Sequence, residues 1–186
     1  MRLGASRLAH PLRHPSGEDL RKEESSMSHL KRIVKIHAPL ETVYNTVHDP
    51  KHWQDWYVGV SDEVEVDVEG GAGKHKLLMV GTPFPLTQRV LEDKLGEEEA
   101  HWKAKVVGPA RAVEVTRPCR LVMLSGEFDW TYRAIDDDTE VTVIRDFTVP
   151  TEMLETADDR EVIERIEAQC LEQSLENLRQ LCEVSH

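Results

Sequence analysis

The chain has 186 residues, 39% of them hydrophobic and 31% charged, with a formal net charge of −12 at pH 7. The length suits one domain, and no apolar run approaches the roughly eighteen residues that a membrane-spanning helix needs. The acidic balance, with no basic patch along the chain, argues against nucleic acid and anionic lipid surfaces as partners.

Residues 1–26 mix five basic residues (Arg2, Arg7, Arg13, Arg21, Lys22) with four acidic ones (Glu18, Asp19, Glu23, Glu24) and show no apolar periodicity. They are expected to form a disordered tail without a targeting signal. Lys22-Glu23-Glu24 can also be encoded by AAG-GAG-GAG, a purine run like a bacterial ribosome-binding site, with Ser25-Ser26 spacing it from Met27. A plain polar tail and a natural start at Met27 both stay open, and residues 27–186 are expected to form a single domain.

Leu30 to His37, with Ile33, Val34 and Ile36, reads as a strand that ends at Ala38-Pro39. Pro39 to His48 places Leu40, Val43, Tyr44 and Val47 at i, i+3, i+4 and i+7, the pattern of an amphipathic helix. Asp49 is a good N-cap and Pro50 a good first helical residue, so a second short helix begins there. Trp53 and Trp56, three apart, share one face of that helix and can press against whatever it covers.

After Tyr57 the period changes. Val60, Val64, Val66 and Val68 alternate with polar residues up to the Gly70-Gly71-Ala72-Gly73 turn. Five further strands are predicted at Lys74 to Gly81, Leu86 to Asp93, Ala100 to Val107, Cys119 to Ile135 (bent at Gly126) and Glu140 to Val149. The breaks at Thr82-Pro83, Leu95-Gly96-Glu97, Gly108-Pro109 and Asp136-Asp137-Asp138 are short and turn-rich, which predicts an antiparallel meander. Beyond Pro150 a helical stripe runs through Val162, Ile163, Ile166, Cys170, Leu171, Leu175, Leu178, Leu181 and Cys182. Strand, two short helices, six strands and a long helix make an α+β layout with helices packed on one side of the sheet. Of the three cysteines, Cys119, Cys170 and Cys182, the last two are about 18 Å apart along that helix and cannot bridge. Free thiols in a reducing cytoplasm are expected.

The resemblance to a known family rests on four stretches. They are Ala38-Pro39 before an amphipathic helix, Asp49-Pro50 with Trp53 and Trp56, Pro118-Cys119-Arg120-Leu121-Val122 before a strand carrying Trp130, and Thr139-Glu140-Val141-Thr142-Val143 opening the last strand. In the last, the family usually has Gly-Thr where this chain has Asp138-Thr139. In their order and spacing, Leu30 to Glu183 resembles the START-related helix-grip superfamily (SRPBCC), which includes the bacterial polyketide cyclase/dehydrase-like family. The resemblance implies a curved seven-stranded antiparallel sheet wrapped round the long C-terminal helix. It also implies a cavity between them, closed at one end by the two short helices. Trp53 and Trp56 would fasten that lid to the sheet, as core aromatics or as ligand contacts.

No reaction motif is present: there is no G-x-S-x-G, H-E-x-x-H, dinucleotide G-x-G-x-x-G or Cys-x-x-Cys. Gly73-Lys74-His75 fails as a phosphate loop, and His48 and His52 fall on different helices, so neither cofactor nor metal is expected. Whether the chain is an enzyme stays open. Strand parity nominates the cavity-facing residues. Val141, Val143, Arg145 and Phe147 share one face; Trp102 goes with Ala100, Ala104 and Val106; Trp130 goes with Phe128 and Tyr132; His75 goes with Leu77 and Met79; and Arg89 goes with Leu91. His101 and Lys103 should face solvent. Arg145 and Arg89 could instead meet a carboxylate or be turned outward by a bulge, and His75 could be a strand-end surface residue.

Three functions are carried forward. The first is a carrier of a hydrophobic or amphipathic small molecule, a lipid or polyketide-like compound, in a cavity of about 300–1,000 Å³, with Arg145 orienting an acid group. The second is a cyclase/dehydratase-type enzyme in which His75, Tyr132 or Arg145 moves protons. The third is a protein-interaction module of the ribosome-associated or quinone-binding type, with a homodimer left open. An interior solidly filled by side chains, or Arg145 paired with an internal carboxylate and remote from any opening, would make the carrier reading fail at this site and move the third reading ahead.

Overall fold

The computed structural model describes residues 27–67, 73–79, 85–108, 111–114, 120–154, 156 and 158–184. The expected tail, the turn at Gly70-Gly71-Ala72 and the Thr82-Pro83 break lie outside these residues. Strand β1 (Met27–Ile36) leads into α1 (Leu40–His48), whose buried face is Leu40, Val43, Tyr44 and Val47 as the spacing predicts. Asp49 then caps a 3-10 turn over Pro50–His52 by accepting from Lys51 N at 3.0 Å. The turn runs directly into α2 (Trp53–Trp56), which buries both tryptophans. No helix among the described residues is long and apolar enough to cross a membrane.

The strands that follow are β2 (Val60–Asp67), β3 (Lys74–Met79), β4 (Pro85–Leu95), β5 (Glu99–Val107), β6 (Arg111–Glu114), β7 (Arg120–Met123), β8 (Gly126–Ile135) and β9 (Asp138–Thr148). Seven form one curved antiparallel sheet in the order β1-β9-β8-β5-β4-β3-β2. The meander runs from β2 to β5, skips to β8 and β9, and is closed at the far edge by β1, which pairs with β9 from Met27↔Thr148 to Ile36↔Thr139. The strand expected over Cys119 to Ile135 is two strands rather than one bent strand. Its first part, β7, pairs with the unforeseen β6 in a separate ribbon, and only β8 joins the main sheet. The chain leaves the sheet at Leu124, whose side chain turns into the core and whose carbonyl is taken by Arg145, and at Ser125, whose hydroxyl accepts from Gly108 N at 3.2 Å.

Helix α3 (Asp159–Val184) lies across the concave face and buries Ile163, Cys170, Leu171, Ser174, Leu175, Leu178 and Cys182. Val162, expected on the stripe, is instead exposed, because the buried face begins one residue later. The main core joins α1, α2 and α3 to the inward faces of the sheet, and a smaller cluster of Leu124, Phe147, Val149 and Ile163 sits at the start of α3. Alternation along β5, β8 and β9 matches the predicted parity, with Trp102, Phe128, Trp130, Tyr132, Arg145 and Phe147 all buried. This face-by-face arrangement turns six of the predicted site residues toward the core shared with the helices.

Candidate functional site

Three spaces lie in line between the sheet and the helices. A cleft of about 350 Å³ opens at the lid end, lined by His48, Trp53, Gly73, His75, Val90, Leu91, Glu92, Asp93 and Trp102. Behind Trp53 and Trp102, which line both, is an inner void of about 20 Å³ bounded also by Trp56, Gln88, Trp130 and Ser174. A second void of about 30 Å³ shares Tyr57, Phe128 and Leu171 with the first and ends at Arg145 and Glu167. The open cavity expected between sheet and long helix is therefore closed down. The reason is steric: Trp56, Tyr57, Phe128 and Trp130 are packed edge-to-face or stacked, with ring centroids 5.4–6.3 Å apart, and occupy the space themselves.

Arg145 is buried, and its guanidinium is engaged on three sides. Nε donates to Glu167 Oε1 at 3.1 Å, Nη1 to the Asp146 carbonyl at 2.8 Å and Nη2 to the Leu124 carbonyl at 2.8 Å. Phe128 lies under it, 4.5 Å from ring centroid to Cζ, and Phe147 beside it at 5.4 Å. Gly126 makes room for this arrangement: a Cβ there would stand 2.0 Å from the Asp146 carbonyl and 2.3 Å from Arg145 Nη1. Burial raises the Glu167 carboxyl above its usual range, against the pull of the neighbouring guanidinium. The expected role of Arg145 in orienting an acidic ligand is overturned, because a buried cation needs a counter-charge and α3 supplies it internally.

The lid end has different chemistry. Tyr44 Oη donates to Asp93 Oδ1, and burial together with that carboxylate raises its phenol. The His48 ring stacks on Tyr44 at 3.8 Å and meets Trp102 edge-on at 5.1 Å, with Tyr132 Oη 3.5 Å from its Nε2. Burial pushes the His48 imidazole down to about 4, although Asp93 pulls the other way. In the unfolded chain the same ring takes up its proton near pH 6.5, so as pH falls the unfolded state gains the proton first. The stability contributed by neutral His48 is fully present above about pH 6.5 and is lost as pH falls toward about 4, by up to about 3 kcal/mol. Urea unfolding at stepped pH should show that loss in the wild type and a flatter profile in His48→Gln. Parallel profiles would mean that His48 titrates normally in the folded protein.

The remaining candidates separate cleanly. His75 is buried rather than a strand-end surface residue: its ring packs edge-on against Trp53 at 4.9 Å, and burial lowers its pKa. Met79 lies in β3 opposite Val60, and its side chain falls outside the described residues. Arg89 is exposed and leaves the candidate set, since Leu86 and Gln88 are the buried positions of β4; Leu91, the residue skipped by the register shift between Val90 and Glu92, is exposed at the rim of the cleft. Trp56 is both a core residue and a void-lining one, and α3 holds its backbone through Asn177 Nδ2, 3.2 Å from the Trp56 carbonyl. Sequence reasoning missed Tyr44, His48, Gln88, Asp93 and Ser174. Gln88 carried a usable signal, being a polar residue between Leu86 and Val90 on alternate positions; Asp93 is brought to Tyr44 only by the pairing of distant elements.

The sequence over residues 27–183 matches the family model described as polyketide cyclase/dehydrase and lipid transport. Comparison with curated proteins gave no match. Among solved structures, the fold is similar to that of the Zhui aromatase/cyclase from a Streptomyces strain, with 20% identity over 85% of this chain and 94% of that one and a TM-score of 0.61. It is also similar to that of a START superfamily protein from Mycobacterium smegmatis, with 14% identity over 85% and 99% and a TM-score of 0.62. Norcoclaurine synthase from Thalictrum flavum shares 11% identity over 84% and 93%, with a TM-score of 0.56. At these identities the likeness speaks for the fold, and the family match over nearly all the described chain gives the membership: this protein belongs to the polyketide cyclase/dehydrase and lipid-transport family.

Proposed function

We propose that the protein binds a hydrophobic small molecule at the lid end of the space between sheet and α3, entering by the cleft between α1, β3, β4 and β5. The observation that carries this reading is that the cleft and the inner void lie side by side, with Trp53 and Trp102 as walls of both. The cleft volume reaches the range of small-molecule sites, and its inner wall is aromatic. The Arg145 end is left out of this reading, since its charge is matched by Glu167 and three of its five N–H donors are taken within the chain. His48 and Asp93, which line this cleft with Tyr132 and Tyr44 behind them, also favour the cyclase/dehydratase-type reading, because they are titratable groups beside the space a bound molecule would fill.

Titration with anthraquinone, a flat neutral tricycle, is expected to quench tryptophan emission. At about a hundred times Kd it should raise the Tm by about 5–10 °C. Trp102→Ala should abolish both effects. If neither anthraquinone nor palmitate changes Tm or emission, the small-molecule reading fails and the protein-interaction reading takes its place.

A further inference from the structure

Two polar side-chain atoms along this path are buried and have no hydrogen-bond partner among the described residues: Trp56 Nε1 and His75 Nδ1. Trp56 is 4% exposed and lines the inner void; His75 is 8% exposed and lines the cleft. Trp53 stands between them, lining both spaces. Its own indole N–H is satisfied, donating to the Val47 carbonyl at 2.6 Å, so the lid does supply acceptors where its fold can use them. Buried polar groups are normally paired, and an orphan atom on a residue that walls such a space points to a partner from outside the chain. An indole N–H can only donate, so what completes Trp56 must present an acceptor.

The charge of the interior narrows the choice. Arg145 is matched by Glu167, and burial keeps the His75 imidazole below its usual pKa, so neither offers a free positive charge to a carboxylate. An acid placed in the inner void would be a second buried anion near Glu167, with no cation left for it among the described residues that line these spaces. We propose that the bound molecule is an uncharged, largely aromatic compound whose carbonyl or ether oxygen accepts from Trp56 Nε1, while a second polar group reaches His75 Nδ1. This makes Trp56 a specificity-determining residue, and it rests on the binding reading above.

Three probes on one frame test it by isothermal titration calorimetry: acetylnaphthalene, isopropenylnaphthalene, in which C=CH2 replaces C=O at nearly the same shape, and naphthoate. The wild type should bind the ketone roughly tenfold more tightly than the alkene and the acid most weakly. Trp56→Phe should keep alkene binding and lose the preference for the ketone. Equal binding of ketone and alkene by the wild type overturns the donor assignment and leaves the binding reading standing, and this comparison does not depend on the variant folding. Tightest binding of naphthoate overturns the neutral-ligand claim, and persistence of the ketone preference in Trp56→Phe overturns the role of Trp56. If none of the three binds, this inference and the binding reading fall together.

Discussion

Replacing Arg145 by methionine is expected to destabilise the protein by about 3–5 kcal/mol at neutral pH, because the change leaves Glu167 of α3 as an uncompensated buried carboxylate. The Leu124 and Asp146 carbonyls lose their donors at the same time. The double change Arg145→Met with Glu167→Met should recover most of that loss, since an apolar pair of similar volume is often as stable as a buried ion pair. Burial already raises the Glu167 carboxyl, and removing the guanidinium raises it further, so the destabilisation of the single variant should shrink as pH is lowered and Glu167 takes up a proton. Urea unfolding of the three proteins checks this. A single variant as stable as wild type would mean that the pair is solvated and that Arg145 is free to meet a ligand after all.

Leu178→Ala is expected to cost about 2–5 kcal/mol, because Leu178 has no exposed surface and sits where α3 crosses the main core. In a domain of this size that corresponds to a Tm lower by about 5–20 °C. Glu172→Ala, on the wet side of the same helix and tied only to Arg32 by an exposed ion pair at 2.8 Å, should stay within about 0.5 kcal/mol of wild type. Equal effects at the two positions in thermal unfolding would contradict the packing of α3 on the sheet.

The order of the main-sheet strands and helices, the two short helices and the inward faces of β5, β8 and β9 were legible in the sequence, because each is written in local periodicity and in the punctuation of Asp49-Pro50 and the strand breaks. Strand β6 and the division of β7 from β8 were not. Arg120 to Ile135 keeps a strand-like composition throughout, and what separates the two is Leu124 turning inward and Arg145 binding its carbonyl from another strand. Arg145 itself was correctly placed on the buried face, but its partner stands 22 residues later on a helix, where no strand pattern points to it. The chemistry at the lid was hidden for the same reason: Tyr44 and Asp93 meet across 49 residues, and His48 reads locally as nothing more than the last turn of α1.

The pairing of β1 with β9 has a consequence in time. Every residue of β1 finds its hydrogen-bonded neighbour more than a hundred positions further along the chain. Contacts of that span make folding slow, and at about 5–20 residues per second of synthesis the neighbour does not yet exist for on the order of ten seconds. The first strand of the sheet to leave the ribosome is thus the last to be seated. For that interval Leu30, Val34 and Ile36 are carried on a strand with both edges unpaired, which makes the newborn chain, rather than the finished protein, the state most exposed to aggregation.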